Sequence, residues 1–450
     1  MKYIATIFAL MLIFSAGAEP HFYPLTSIAE DFGATWCGGC LLAIEGLSVV
    51  HGNTHNGEFV SARLYTESGN LSSPSVDARF SYYDVLGIPA VIFNGKTRVD
   101  GSGDGIADGS VYTAALKPYL YSASPLKMNI TDFSAVNGRI TGNVEMLSTT
   151  LSIVNQQLHL YLVEDNVSEG ITNVTRQVVS LPLNLFGAGN TVTFDQYFTI
   201  NPAWNANNLW ALAFVQIEDA AILQTAHTLP LPQYNFRAAF DWDANIVGNA
   251  GLFESPALWF FNLGQSDNYI MQIVIDSAPE DWYFNYCGED GNCYPGNLPM
   301  PLNLLSGGKV AFHLNLWIGS SGIGNFRFVL SSPNLGTYSI PFRFRTSDVS
   351  ANDDHYISQP TLLKGNYPNP FNPSTTIDYQ IPAKGNVRLE IYNMKGQKVQ
   401  TLVNELKTSG SHSVVWNGID QSGHSVVSGV YFYRLVTENN TITKRMLLLK

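Results

Sequence analysis

The chain has 450 residues, 45% of them hydrophobic and 12% aromatic. That length argues for about three domains, and the apolar share excludes a disordered protein. Only 13% of residues are charged and the net charge is −12, which excludes a phosphate-binding surface and nucleic acid as a partner.

The charge is uneven. Residues 364–450 carry 10 Lys and Arg against 5 Asp and Glu, net +5, which leaves 14 against 31, net −17, for residues 1–363. A basic tail on an acidic body predicts a separate job for the last segment.

Residues 1–18 read as a signal peptide. Lys2 supplies the positive start, Tyr3–Phe14 the apolar run, and Ala16-Gly17-Ala18 the small-residue cleavage pattern before Glu19. Export from the reducing cytosol makes the four cysteines disulfide candidates. They fall into two local pairs, Cys37/Cys40 and Cys287/Cys293. Local pairing is expected among the three pairings that four cysteines allow.

Residues 19–124 mix strand and helix signals. Ser27–Phe32 leads to a turn at Cys37–Cys40, Leu41–Val50 reads as a buried helix, and Phe59–Tyr65 and Val91–Phe93 read as strands. The second of these strands ends at Asn94-Gly95, a hairpin signal. Alternation of this kind predicts an α/β layer. From Pro125 strands alternate with turns, as at Leu158–Val163, Thr191–Ile200 and Leu209–Ile217, so 125–235 reads as one β-sandwich. Residues 236–346 read as a second, Ig-like sandwich with a local disulfide, through strands such as Tyr269–Ile275, Val310–Leu316 and Asn325–Leu330. The polar segment 347–363 reads as a linker. The last module, 364–450, opens with the proline-rich Asn366–Pro373, which can be neither helix nor central strand. The runs Val387–Tyr392, Ser413–Trp416 and Val430–Val436 then suit a compact sandwich. The expected fold class is therefore multidomain, α/β followed by three all-β domains.

Trp36-Cys37-Gly38-Gly39-Cys40 before a helix is the strongest chemical feature. A cysteine at a helix N-terminus meets unpaired N–H groups and the positive end of the dipole, which stabilise its thiolate. Asp31-Phe32-Gly33-Ala34-Thr35-Trp36-Cys37 resembles the thioredoxin stretch around its redox cysteines, and Gly87–Gly95 resembles the strand bearing that family's cis-proline. The resemblance implies an attacking Cys37, a resolving Cys40, a carboxylate at Asp31 assisting Cys40, and Pro89 facing the disulfide. Arg63 falls near a family lysine. Gly38-Gly39 departs from the family's usual Gly-Pro, and this bears on the redox potential. Residues 25–230 also resemble the twenty-eight-kilodalton outer-membrane-protein family, where such a domain precedes a β domain; Leu160–Asp165 is the matching strand. That resemblance implies surface exposure and no settled reaction.

The remaining signals have plainer readings. Cys287 and Cys293 bracket a short turn-rich loop and read as a structural staple. Asp100, Ser102 and Asp104 alternate as in a calcium loop, but Val111 stands where a bidentate Glu belongs. A glycine-rich connection into a helix is the reading preferred there. His51 and His55 are four apart with Gly52 and Asn53 between them, which predicts a solvated loop rather than a metal site. No metal site and no cofactor are expected.

Asn366–Ile377 resembles the opening of the type IX secretion C-terminal sorting domain, type A. Val387–Gly396, Trp416-Asn417-Gly418, Ser428–Leu435 and Lys444–Lys450 follow in the family's order. The resemblance implies export across the outer membrane through the type IX machinery by residues 364–450. It also implies tail removal and release or attachment to surface lipopolysaccharide, hence a secreted location or the outer face of a Gram-negative outer membrane. Two functions follow. The first is a surface redox protein exchanging thiols and disulfides with a protein substrate. The alternative is a non-catalytic adhesion, binding or envelope-structural protein whose CxxC is a structural bridge.

Overall fold

The computed structural model describes residues 21–449 except 56, 67–70, 102, 104, 149–154, 169, 241–244, 289, 290, 297, 350–361, 382–384, 408, 409 and 438–440. The signal-peptide reading over 1–18 lies outside the described residues, as does most of the linker at 347–363. Strands dominate the described chain. It divides into two compact units, one of residues up to 275 with 279–321 and 326–341, the other of 276–278, 322–325 and 342–450.

The first unit opens with β1 (Tyr23–Pro24), β2 (Ser27–Gly33), α1 (Gly38–Asn53), β3 (Phe59–Tyr65), α2 (Pro74–Tyr82), β4 (Ala90–Phe93), β5 (Thr97–Asp100) and α3 (Ser110–Leu116). β2 and β3 are buried at every position, as strands covered on both faces must be. They run parallel with Asp31 opposite Arg63. Parallel neighbours need a crossover, and α1 supplies it. Its buried Cys40, Ala43, Leu47 and Val50 recur at helical spacing on one face. β4 lies antiparallel to β2 and turns into β5 through Asn94 and Gly95, both at positive φ. A Cβ on Gly95 would stand 1.8 Å from the Ala220 carbonyl oxygen, so only glycine fits there. α2 starts from Ser73, whose hydroxyl accepts the Val76 N–H, with Pro74 in the first turn.

There follow β6 (Ala123–Ser124), β7 (Leu126–Phe133), β8 (Arg139–Met146), β9 (Gln156–Glu164), β10 (Val174–Leu183), β11 (Thr191–Tyr197), β12 (Leu209–Gln216) and β13 (Ile222–His227). Four of them extend the first sheet, whose order is β13-β12-β9-β10-β3-β2-β4-β5. The seam is β10 on β3, with Val174 opposite Arg63. The sheet thus runs on past residue 125. A three-stranded sheet, β11-β8-β7, supplies Ile140, Val144 and Phe194 to one core with Leu160 and Ala213 of the long sheet. A second core joins Ile28, Val60, Val76, Tyr161 and Phe214.

A buried polar network ties these strands to α2. Arg79 on α2 donates Nε and Nη2 to the two carboxylate oxygens of Glu30 on β2, at 3.0 and 2.9 Å, and Nη1 to Gln216 on β12 at 2.9 Å. The hydroxyls of Tyr83 and of Tyr161 on β9 donate to the same carboxylate. Glu30 is 0% and Arg79 4% exposed, so the pair must satisfy itself internally.

The rest of this unit carries β14 (Phe236–Ala239), β15 (Asn245–Gly248), β16 (Gly251–Glu254), β17 (Leu258–Asn262), β18 (Asp267–Ser277), β19 (Tyr283–Gly288), β20 (Cys293–Pro295), β21 (Met300–Leu304) and β22 (Lys309–Ile318). One sheet runs β14-β17-β22-β19-β20, with β16 also on β22. β22 alternates from His313 onward, with Leu314, Leu316 and Ile318 buried and the residues between them outward.

The second unit holds the C-terminal sandwich. Strands Leu362–Tyr367, Thr375–Ile381 and Gly410–Trp416 form one sheet; Lys398–Lys407, Gly385–Asn393, Gly429–Val436 and Thr441–Leu448 form the other. Ile377, Tyr379, Leu389, Trp416, Tyr433 and Leu448 share its core. The proline-rich opening begins at the end of the edge strand, where Asn366 and Tyr367 pair with Ile377 and Thr376, and leaves the sheet at Pro368, as its prolines require. Phe371 instead joins the last strand: its N–H donates to the Leu447 carbonyl and its own carbonyl accepts from Leu449.

Candidate functional site

Cys37 and Cys40 form a disulfide with Cα atoms 5.3 Å apart. Cys37 is the N-cap residue of α1, and its sulfur accepts the Cys40 N–H at 3.1 Å. The helix therefore begins on the sulfur pair, with no acidic residue in its first turn to oppose the positive end of the dipole. Cys40 is buried, Cys37 half-buried, and the neighbouring Trp36 is 71% exposed. The bond reaches the surface at Cys37, beside the exposed Trp36. Clefts of about 620 and 200 Å³ exist elsewhere in this unit, and neither is lined by these cysteines.

β2 delivers the chain to this helix. Gly33 ends the strand where a Cβ would stand 3.3 Å from Cys40 Sγ, so glycine lets the sulfur approach the backbone. Residues two apart on a strand share a face, so Asp31 points to the side that Gly33 turns to Cys40. Asp31 is buried, and burial pushes its carboxyl above the usual carboxylate range while Arg63 opposes the rise. Arg63 Nε donates to Asp31 Oδ2 at 2.8 Å, and Nη1 donates to the Thr172 carbonyl at 3.1 Å. Pro89 follows a cis peptide bond and directly precedes β4. Because Phe32 pairs with Ala90, Pro89 comes level with Gly33 at the same end of the sheet. The topology therefore brings all four sequence candidates to one end of two neighbouring strands. Sequence reasoning had no account of what Arg63 or Gly33 touch; glycine placed two residues after a buried acid was the available signal.

The other candidates separate. Cys287 and Cys293 are bonded directly across the β19–β20 hairpin. His51 departs from the solvated loop expected for it: α1 runs through Gly52 to Asn53, and the imidazole packs 4.6 Å from the Phe59 ring. Its Nε2 lies 2.9 Å from Ser61 Oγ, and burial, with His227 nearby, pulls its pKa down to about 4. His55 is also half-buried and depressed by burial. Among the described residues no group of three or more His, Cys, Asp or Glu is placed to hold a metal ion. In the calcium-like loop Ser102 and Asp104 lie outside the described residues. Asp100 pairs with Arg98 at 2.7 Å, and Asp108 accepts the Ser110 N–H at the start of α3.

Comparison with known proteins bears on the second unit. Residues 366–449 match the family described as Secretion system C-terminal sorting domain. No curated protein matches the chain. Among solved structures it is similar to HBP35 of Porphyromonas gingivalis, at 13% identity over 72% of this chain and 98% of that one, TM-score 0.38. It is also similar to dimeric latent PorU from Porphyromonas gingivalis, at 14% identity over 72% and 34%, TM-score 0.20. The N-terminal domain of PorA matches at 16% identity over 26% and 100%, TM-score 0.21. The phenylalanine-centred opening and the last strand, separated in sequence, meet in space at Phe371 and Leu447–Leu449. Residues 366–449 are thus a type IX secretion C-terminal sorting domain, and the chain that carries it is a secreted or cell-surface protein.

Proposed function

We propose that the protein is a surface thiol–disulfide exchange protein, with a thioredoxin-like domain over 19–124 acting at Cys37 and Cys40. The segment 125–235, whose β9, β10, β12 and β13 extend the same sheet, the sandwich at 236–346 and a linker at 347–363 then connect it to the sorting domain at 364–450. One observation carries the reading: the Cys37–Cys40 bond caps the N-terminus of α1 at an open surface, with a buried carboxylate on the same face. A substrate thiolate attacks Cys37 Sγ, and Cys40 leaves as a thiolate. The substrate's second thiolate then attacks its own sulfur in the mixed disulfide and Cys37 leaves, stabilised by the helix N-terminus. Two electrons pass from substrate to protein, the substrate's two protons go to solvent, and the leaving Cys40 thiolate takes up a proton from Asp31 or from solvent; in the reverse direction Asp31 accepts the Cys40 proton. The reverse sequence reduces a substrate disulfide. The exposed Trp36 beside the disulfide favours a polypeptide substrate. In this reading the type IX machinery recognises the tail at the outer membrane. The body then stays on the outer face, attached to lipopolysaccharide after tail removal, or is released.

Insulin reduction by the purified protein with dithiothreitol as electron source tests the reading, with Cys37→Ser as control. Turnover that vanishes in the variant supports exchange. Equal rates in the two proteins refute it and leave a structural bridge on a binding protein.

A further inference from the structure

Three neighbouring strands of the first unit, β16, β22 and β19, line up their outward side chains in rows. On β22 the alternation that buries Leu314, Leu316 and Ile318 turns Trp317 and Asn315 outward. Trp317 pairs with Leu252 on β16 and with Tyr283 on β19, so the three stand side by side. They are 55%, 64% and 68% exposed, where a monomer would bury them if they served only its core. In the next row Asn315 pairs with Glu254 and with Asn285. His313, one row further, stands 3.5 Å from Glu254 through its Nε2.

We propose that this face of β16, β22 and β19 binds a neutral carbohydrate chain. The apolar row spans two inter-strand spacings, about 10 Å, the reach of two consecutive sugar rings laid flat. Indole and phenol rings offer flat apolar area with little side-chain freedom to lose, which suits the C–H face of a pyranose. Asn285, the Glu254 carboxylate and Asn315, whose Nδ2 also donates to Cys287 Sγ at 3.1 Å, supply donors and acceptors that hydroxyl groups need. The charge on the face selects among occupants. Its rows hold one carboxylate beside one imidazole and no lysine or arginine, so it lacks what an anionic membrane or polyanion requires. Three side chains also cover far less than the roughly 1,000 Å² that a stable protein interface needs. A polyhydroxyl chain lying across the strands is the occupant that fits both limits. The inference is independent of the redox reading, since it uses neither cysteine pair as a reactant.

Affinity electrophoresis of the mature protein in native gels containing hydroxyethylcellulose, xyloglucan, galactomannan or dextran tests it. At least one polymer should retard the wild type, and Trp317→Ala and Tyr283→Ala should each weaken the retardation at least about tenfold, with unchanged melting temperature and insulin reduction. If no polymer retards the protein, or both variants run as wild type, the proposal fails. It also fails if Trp317→Ala instead converts a dimer to a monomer, or abolishes flotation with phosphatidylcholine–phosphatidylglycerol vesicles, because the face then serves another partner.

Discussion

Arg79→Met tests how the long sheet of the first unit is held together. The substitution keeps most of the aliphatic stem but removes both charged hydrogen bonds to Glu30 and the bond to Gln216. Glu30, with no exposed surface, keeps the hydrogen bonds that the Tyr83 and Tyr161 hydroxyls donate to its carboxylate. Removing one partner of a buried ion pair costs about 3–5 kcal/mol. The surviving hydroxyl donors favour the lower part of that range, about 3–4 kcal/mol, which lowers the first unit's transition by about 6–16 °C. Glu30→Gln combined with Arg79→Met should cost less than Arg79→Met alone, because no unpaired charge then remains buried. Urea titration followed by tryptophan fluorescence, with scanning calorimetry in parallel, measures both. A loss below about 1 kcal/mol for Arg79→Met, or a double variant costing the sum of the singles, refutes the reasoning.

Acid should destabilise the first unit through His51. Its folded pKa is depressed to about 4, below the ordinary imidazole value of 6.5. Its neutral form is therefore favoured by folding, and stability is lost as pH falls from 6.5 towards 4. At pH 5 the loss should be about 1–2 kcal/mol after allowing for partial exposure, and the slope should become shallower but not vanish in His51→Gln, since burial also depresses His159 and His227; an unchanged slope would refute it. Asp31→Asn should slow exchange about 100-fold near neutral pH, with a mixed disulfide accumulating on Cys37, as mass spectrometry after acid quench would detect. Unaltered rates would remove Asp31 from the proton path. Deleting 364–450 should retain the protein inside the outer membrane, and surface proteolysis of intact cells would show the opposite result directly.

Local signals were readable in the sequence where apolar pattern or turn chemistry specified one answer. β3 falls on Phe59–Tyr65 as expected, the helix at Leu41–Val50 lies inside α1, and Asn94-Gly95 makes the β4–β5 turn. α2 escaped because its inward face includes the charged Arg79, which a hydrophobic period cannot flag. The pairing of β10 with β3 joins strands about 110 residues apart, as from Arg63 to Val174, and no local propensity encodes such a contact. His51 departs from the loop reading because packing against Phe59 and Ser61 carries α1 through Gly52 and Asn53, whose weak helix propensity is overridden. At the site, the spacing of Cys37 and Cys40 was legible from residue types alone. The Asp31–Arg63–Thr172 chain was not, since its last member comes from the loop ahead of β10.

The most direct test of the central claim is the redox state of Cys37–Cys40 in the folded protein. The full chain would be equilibrated in graded glutathione buffers, alkylated and mapped by peptide mass spectrometry. Exchange chemistry predicts reversible reduction of this pair at a potential above about −300 mV, with Cys287–Cys293 still oxidised and the fold retained by circular dichroism. A Cys37–Cys40 bond that stays oxidised until the domain unfolds, or that is reduced only after Cys287–Cys293, would contradict it.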